Sequence, residues 1–229
     1  MKISKDLLNN DVPATGQLKD GDCAAFTLKE GADLKLAFLG NSITRHGAAK
    51  ELGWTGDWGM AASSAENDYV HRLVKLLEGG GRRVSYCVAN LSEWERTREM
   101  SLLSTRYAQV KDFRADIVIV RLGENARLAE NLQAFEPCYK DMVAYFSEGA
   151  TVILTDLFWE YRPFDDFVER LAKDSGYNFV KIHDLGRDKS MKAVGKFAHA
   201  GVAAHPGDRG MAEIAERIYR AIKKCGKRF

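Results

Sequence analysis

Five apolar segments limit what this chain can become. LKLAFLG (34–40), RVSYCVAN (83–90), ADIVIVRLG (115–123) and ATVILTDLF (150–158) are nearly unbroken apolar runs, and NFVKIHDL (178–185) is a shorter fifth. A strand with one wet face alternates apolar and polar residues; a continuous run marks a strand covered on both faces, as in a parallel sheet. Amphipathic patterns fill the gaps. SAENDYVHRLVKLLEGGG has a start signal at Ser64, an apolar stripe through Tyr69, Val70, Leu73, Leu76 and Leu77, and a glycine stop. SEWERTREMSLLSTRYAQV, NLQAFEPCYKDMVAYFSEG and FDDFVERLAKDSG follow in equivalent places, and GDRGMAEIAERIYRAIKKCG closes the series with basic residues in its last turns. Strand and helix in alternation predict one α/β domain over residues 1–229, with a parallel sheet of about five strands. Residues 1–33 fall outside the alternation as an N-terminal extension, in which CAAFTLKEG suits an added edge strand or hairpin.

Composition excludes several classes of partner. Lys and Arg number 34 against 32 Asp and Glu, so the net charge of +2 supplies no field to draw in nucleic acid or anionic membrane. No stretch reaches the roughly 18 apolar residues of a membrane span, and MKISKDLLNNDVPATG lacks the apolar centre of a signal peptide, which predicts a soluble, cytoplasmic protein. Cys23, Cys87, Cys138 and Cys225 lie far apart with no CxxC pair, as expected of reduced thiols. HExxH, phosphate-loop and carboxylate-cluster motifs are missing, so no metal or nucleotide cofactor is expected.

In open parallel sheets the reactive groups gather beyond the carboxyl ends of the strands. Asn41 and Ser42 follow the first run; Asn90, Leu91, Ser92 and Glu93 follow the second; GENA (123–126) follows the third; AAHPGD, with His205, precedes the last helix. Acyl transfer needs a nucleophile, a base, and donors for the developing oxyanion. Ser42 suits the first role, with Gly40 letting the strand turn sharply. His205 suits the second, in a loop that Pro206 restrains. Asn125 carries a neutral amide donor, and the N–H of Ser42 with one from the second loop would complete the hole. Singly these residues are as well explained as a turn serine, a structural histidine and a helix cap. Together they supply three required types on one rim.

The motifs also carry a resemblance. FLGNSIT resembles the nucleophile block of the SGNH/GDSL hydrolases, usually GDSIT; VIVRLGENA resembles the G-x-N block; and HPGDRGMAEIAERI resembles the block where His-Pro opens the C-terminal helix. The order agrees from Leu36 to about Ile222. The resemblance implies a flavodoxin-like, three-layer α/β/α fold with a doubly wound sheet, and hydrolysis of esters, thioesters or acetylated sugars, with Ser42 as nucleophile, Asn125 as oxyanion donor and His205 as base. Three departures bear on the site. Asn41 stands where Asp is common. VANLSEWERTRE lacks the glycine whose N–H usually enters the oxyanion hole, which leaves Glu93 as the nearest candidate donor. Val202 stands where an Asp normally orients the histidine. A backbone carbonyl near Val202 or Ala203 is the favoured substitute, ahead of a carboxylate such as Glu95 or Asp208, or of a weakened enzyme.

The loop RHGAAKELGWTGDWGMAASS follows Ser42 and offers Trp54 and Trp58 as flat faces for a sugar, or as packing for the loop itself. His46 and Arg96 are further candidate substrate contacts, whereas His71 and His183 fall on a helix and a strand. The substrate expected is a small acyl ester, most simply an acetyl group on a saccharide. A thioesterase or lysophospholipase for longer chains, and a non-catalytic glycan-binding module, are the alternatives.

Overall fold

The computed structural model describes residues 16–19 and 21–225. Six strands, β1 (Ala24–Thr27), β2 (Leu34–Gly40), β3 (Val84–Asn90), β4 (Ile117–Arg121), β5 (Thr151–Thr155) and β6 (Asn178–Val180), form one sheet in the order β1-β3-β2-β4-β5-β6. All neighbours are parallel except β1, which runs antiparallel along β3 with Ala24 opposite Ala89. CAAFTLKEG therefore supplies an edge strand, one more than the five apolar runs.

The helices are α1 (Tyr69–Gly79), α2 (Ser92–Thr97), α3 (Ser101–Thr105), α4 (Ala108–Asp112), α5 (Leu128–Phe146), α6 (Arg162–Ser175), α7 (Ala200–Ala203) and α8 (Asp208–Lys224). They cover both faces of the sheet. Leu36, Phe38, Val88 and Ile119 pack against Leu73 of α1 and Ile214 and Ile218 of α8. Ala37, Leu39, Val118 and Leu154 point the other way, onto Trp94, Tyr139, Phe164 and Val168 of α2, α5 and α6. Burial on both sides is why the strands lack a polar face. Among the described residues, no helix is long and apolar enough to cross a membrane.

Local structure departs from the sequence expectations at three places. Helix α1 starts at Asp68, whose carboxylate accepts from the His71 N–H at 2.8 Å; Ser64 leads only a 3-10 turn. The segment after β3 is three short helices, because Arg98 takes a left-handed conformation (φ 61°) and its N–H closes onto the Trp94 carbonyl at 2.7 Å. That break turns the chain so that Trp94, Leu103 and Tyr107 all reach the core. His183 lies beyond the end of β6, not on it.

From β2, the connection through α1 leads to β3 on one side, and β3 then crosses over to β4 on the other side of β2. The crevice at such a reversal, outside the carboxyl ends of β2 and β4, is where doubly wound sheets hold their ligands. Ser42 and Asn125 both lie there.

Candidate active site

Ser42 sits in a tight turn at the end of β2. The Asn41 carbonyl accepts from Thr44 N–H at 2.8 Å and Arg45 N–H at 3.0 Å, and the Ser42 carbonyl accepts from Met60 N–H at 2.8 Å. Gly40 is required for space, not for a special backbone angle: a Cβ there would lie 1.8 Å from Thr44 Oγ1. The turn leaves the Ser42 N–H without a partner among the described residues and brings Ser42 Oγ to 2.9 Å from His205 Nε2.

A backbone carbonyl orients His205. Just past α7 the His205 N–H bonds to the Val202 carbonyl at 3.0 Å, which frees the Gly201 carbonyl at the helix end. The His205 ring turns back and donates from Nδ1 to that oxygen at 2.7 Å. A carbonyl can only accept, so the proton of the neutral ring is on Nδ1 and Nε2 receives the Ser42 hydroxyl. Val202, where the resemblance implies an aspartate, makes a packing contact instead. It is 1% exposed and packs in a small apolar cluster with Ala49, Trp54, Met60, Ala61 and Ala193, anchoring the turn that presents the Gly201 oxygen. Desolvation pulls the His205 pKa down to about 4, the charges of His46 and Arg121 push the same way, and the Gly201 oxygen opposes them. Trp159, from the loop after β5, meets the His205 ring edge-on at 5.0 Å.

Asn125 is held from two directions. Its Nδ2 donates to Glu95 Oε2 at 2.8 Å, and Gln17 Nε2 approaches its Oδ1 at 3.4 Å while Gln17 Oε1 accepts from Asn90 Nδ2 at 2.8 Å. Glu95 is wholly buried and also accepts from Gly123 N–H at 2.5 Å, Asn125 N–H at 3.1 Å and Asn41 Nδ2 at 3.2 Å. Glu124 accepts from Asn41 Nδ2 at 2.7 Å and from Arg121 Nη1 at 2.5 Å, and Arg121, itself wholly buried, donates from Nη2 to Asn41 Oδ1. Glu124 pairs with the guanidinium, and the Asn41 amide links that pair to Glu95. Burial first, then the charge of Glu124, raises the Glu95 pKa to about 7.

No family model and no curated protein matches the sequence. Solved structures do resemble the fold. A family 3 carbohydrate esterase from Clostridium thermocellum aligns with a TM-score of 0.59 at 15% identity, over 84% of this chain and 96% of that one. A protein assigned to the G-D-S-L lipolytic family from Desulfitobacterium hafniense aligns at 0.52 and 18% identity, over 82% and 99%. A two-domain esterase active on acetylated mannans aligns at 0.55 and 18%, over 85% of this chain and 50% of that one. The chain has the SGNH/GDSL hydrolase fold.

Within that SGNH fold the other expected residues fall as follows. The Glu93 side chain pairs with Arg106 at 2.7 Å, and its backbone N–H, the donor expected from the sequence, lies in the first turn of α2. The Glu95 N–H is spent on the Leu91 carbonyl at 2.8 Å, as α2 requires. Neither suggested carboxylate reaches His205: Glu95 serves Asn125 and Gly123, and Asp208 accepts from Ser63 N–H and Oγ, each at 2.8 Å. Trp54 offers no face for a sugar. It is 2% exposed, stacks edge-on with Trp58 at 5.5 Å, and donates to the His46 carbonyl at 2.9 Å, while Trp58 donates to the Ala62 carbonyl at 3.0 Å. Both pack the loop onto the body. His46 is buried with Nδ1 against the Gly47 oxygen at 2.7 Å, and burial lowers its pKa. Arg96 lines a polar cleft of about 270 Å³ with Gln17, Asn90, Ser92 and Glu93. Gln17, Arg121, Glu124 and Trp159 were not among the expected site residues. Arg121 and Glu124 had a signal, since charged residues in and beside an apolar strand need buried partners; Gln17 lies in a segment with no pattern.

Proposed function

We propose that this protein is a serine ester hydrolase working through a Ser42–His205 dyad. The observation that carries this is the chain of contacts from Ser42 Oγ to His205 Nε2 (2.9 Å) and from His205 Nδ1 to the Gly201 oxygen (2.7 Å), at the topological crevice of an SGNH fold. Ser42 Oγ attacks the acyl carbon while its proton passes to Nε2. The carbonyl oxygen gains negative charge facing the Ser42 N–H and the second hydrogen of Asn125 Nδ2, donors that are fixed before the reaction. The tetrahedral intermediate expels the alcohol, which leaves with the proton from Nε2. Water then attacks the acyl-serine, gives a proton to Nε2, and Ser42 recovers it as the acid departs. The Gly201 oxygen keeps the required tautomer throughout, the function an aspartate serves in a triad.

The substrate we favour is a small acyl ester, an acetyl group on a saccharide. Two similar structures are named as a carbohydrate esterase and an esterase active on acetylated mannans. A small cleft, about 190 Å³, lies beside the site between Trp159, Tyr161, Leu128 and Gly123, and its aromatic walls suit a sugar ring better than an extended acyl chain. Hydrolysis of p-nitrophenyl esters from two to eight carbons tests both levels. The expected outcome is a preference for acetate, abolished in folded Ser42→Ala with loss of fluorophosphonate labelling. Full activity in Ser42→Ala rejects the hydrolase, and rates rising toward eight carbons reject the acetyl substrate.

A further inference from the structure

The mechanism above leaves a wholly buried carboxylate unused. Glu95 occupies the second block, where the family pattern has a glycine, and every contact it makes is with a donor. Two of these donors, the N–H groups of Gly123 and Asn125, are backbone and cannot be reversed. A carboxylate accepts at both oxygens, so once Oε1 is taken by those N–H groups, Oε2 must face a donor as well. Asn125 supplies it with Nδ2 at 2.8 Å, and on the far side the Gln17 amide nitrogen stands 3.4 Å from Asn125 Oδ1. While Glu95 is ionised, the Asn125 amide therefore has one allowed orientation. One hydrogen of Nδ2 is committed to Glu95, and the other is left over.

We infer that Glu95 is a positioning residue that fixes the Asn125 amide with its second N–H aimed at the oxyanion, and that Gln17 secures the same orientation from the opposite side. This rests on the hydrolase proposed above. It also accounts for Asn41 in place of the usual aspartate. With Glu95 present, an acidic residue at 41 would set a third carboxylate against Glu95 and Glu124, whereas the amide donates to Glu124 at 2.7 Å and to Glu95 at 3.2 Å. Two departures from the family pattern, at 41 and in the second block, thus depend on each other.

In Glu95→Gln the new carbonyl stays with the two backbone donors, and the new NH₂ then faces Asn125 Nδ2. Donor against donor forces Asn125 to flip, which places a lone pair where the oxyanion forms. Loss of one such donor costs about 10²–10³ in kcat. A double-mutant cycle on p-nitrophenyl acetate at pH 8.5, where Glu95 is ionised, tests this with Glu95→Gln, Asn125→Ala and the pair. The expected result is a kcat reduced about 100-fold or more in each single variant, KM within about threefold of wild type, and no further loss in the pair, because Glu95 acts through Asn125. A kcat in folded Glu95→Gln within about threefold of wild type overturns the inference, as do losses that multiply in the pair. If Glu95→Gln does not fold, Gln17→Leu takes its place in the cycle, with a smaller kcat loss expected that disappears in the Asn125→Ala background; unchanged kcat overturns the inference. Wild-type protein without ester hydrolysis overturns the hydrolase and the inference together, whereas active wild type with unaffected variants overturns the inference alone.

Discussion

The ring proposed as base is held by a neutral carbonyl, and the pH profile of the proposed hydrolase should carry that mark. In a triad the carboxylate on Nδ1 favours the charged imidazolium and holds the pKa up. His205 has the Gly201 oxygen instead, in surroundings whose desolvation takes the pKa to about 4 from an ordinary 6.5. Only neutral His205 accepts the Ser42 proton, so activity is lost as pH falls through the folded-state value. At pH 5 a ring titrating at about 4 is about 90% neutral, against about 3% for one titrating at 6.5. The measurement is kcat/KM for p-nitrophenyl acetate between pH 3.5 and 8, by quenched sampling, with circular dichroism confirming the fold at each point. The prediction is a plateau that persists to about pH 5 and falls only near 4. A limb centred between 6 and 7 would refute the claim that desolvation outweighs the carbonyl. The same shift has a stability consequence of fixed sign. Between pH 6.5 and about 4 the unfolded chain binds a proton that the folded His205 refuses, so this group subtracts stability as pH falls through that window and subtracts none above it.

Two further substitutions probe the packing around the site. Asn41→Asp changes shape very little yet adds a third buried carboxylate and removes the donor shared by Glu95 and Glu124; a loss of about 3 kcal/mol in urea unfolding is expected, smaller at pH 5 than at pH 8 because the crowded folded cluster takes up a proton. Trp54→Ala empties the cluster that joins the Ser42 loop to the turn bearing Val202, and should cost about 3–5 kcal/mol together with a fall in kcat. A stability change under about 1 kcal/mol would place Trp54 outside that shared core.

Most of the architecture was written in the chain's periodicities. Unbroken apolar runs such as 34–40 and 115–123 mean burial on both faces whatever their neighbours, and helical stripes between them leave few topologies. Short-range signals served less well. Ser64 and Asp68 are both acceptable caps, and packing selected Asp68 because its carboxylate also reaches Gly59 N–H at 3.2 Å across the Ser42 loop. The long pattern after β3 gave no warning of the break at Arg98, since a left-handed residue is chosen by where Trp94 and Tyr107 must go.

For the site, the residue types were legible and their partners were not. Ser42, Asn125 and His205, the residues of the proposed site, follow from strand ends and block spacing, because chemistry limits which side chains can attack, donate and accept. That the Gly201 oxygen holds His205, that Val202 is an apolar anchor, and that Glu95 and Gln17 grip the Asn125 amide depend on contacts between segments 30 to 108 residues apart as well as on a turn four residues long. Sequence by itself determined a parallel α/β sheet with candidate reactive residues on its rim. Tertiary structure alone decided how those residues are oriented, because a hydrogen bond depends on distance and direction, and neither exists until the elements have packed.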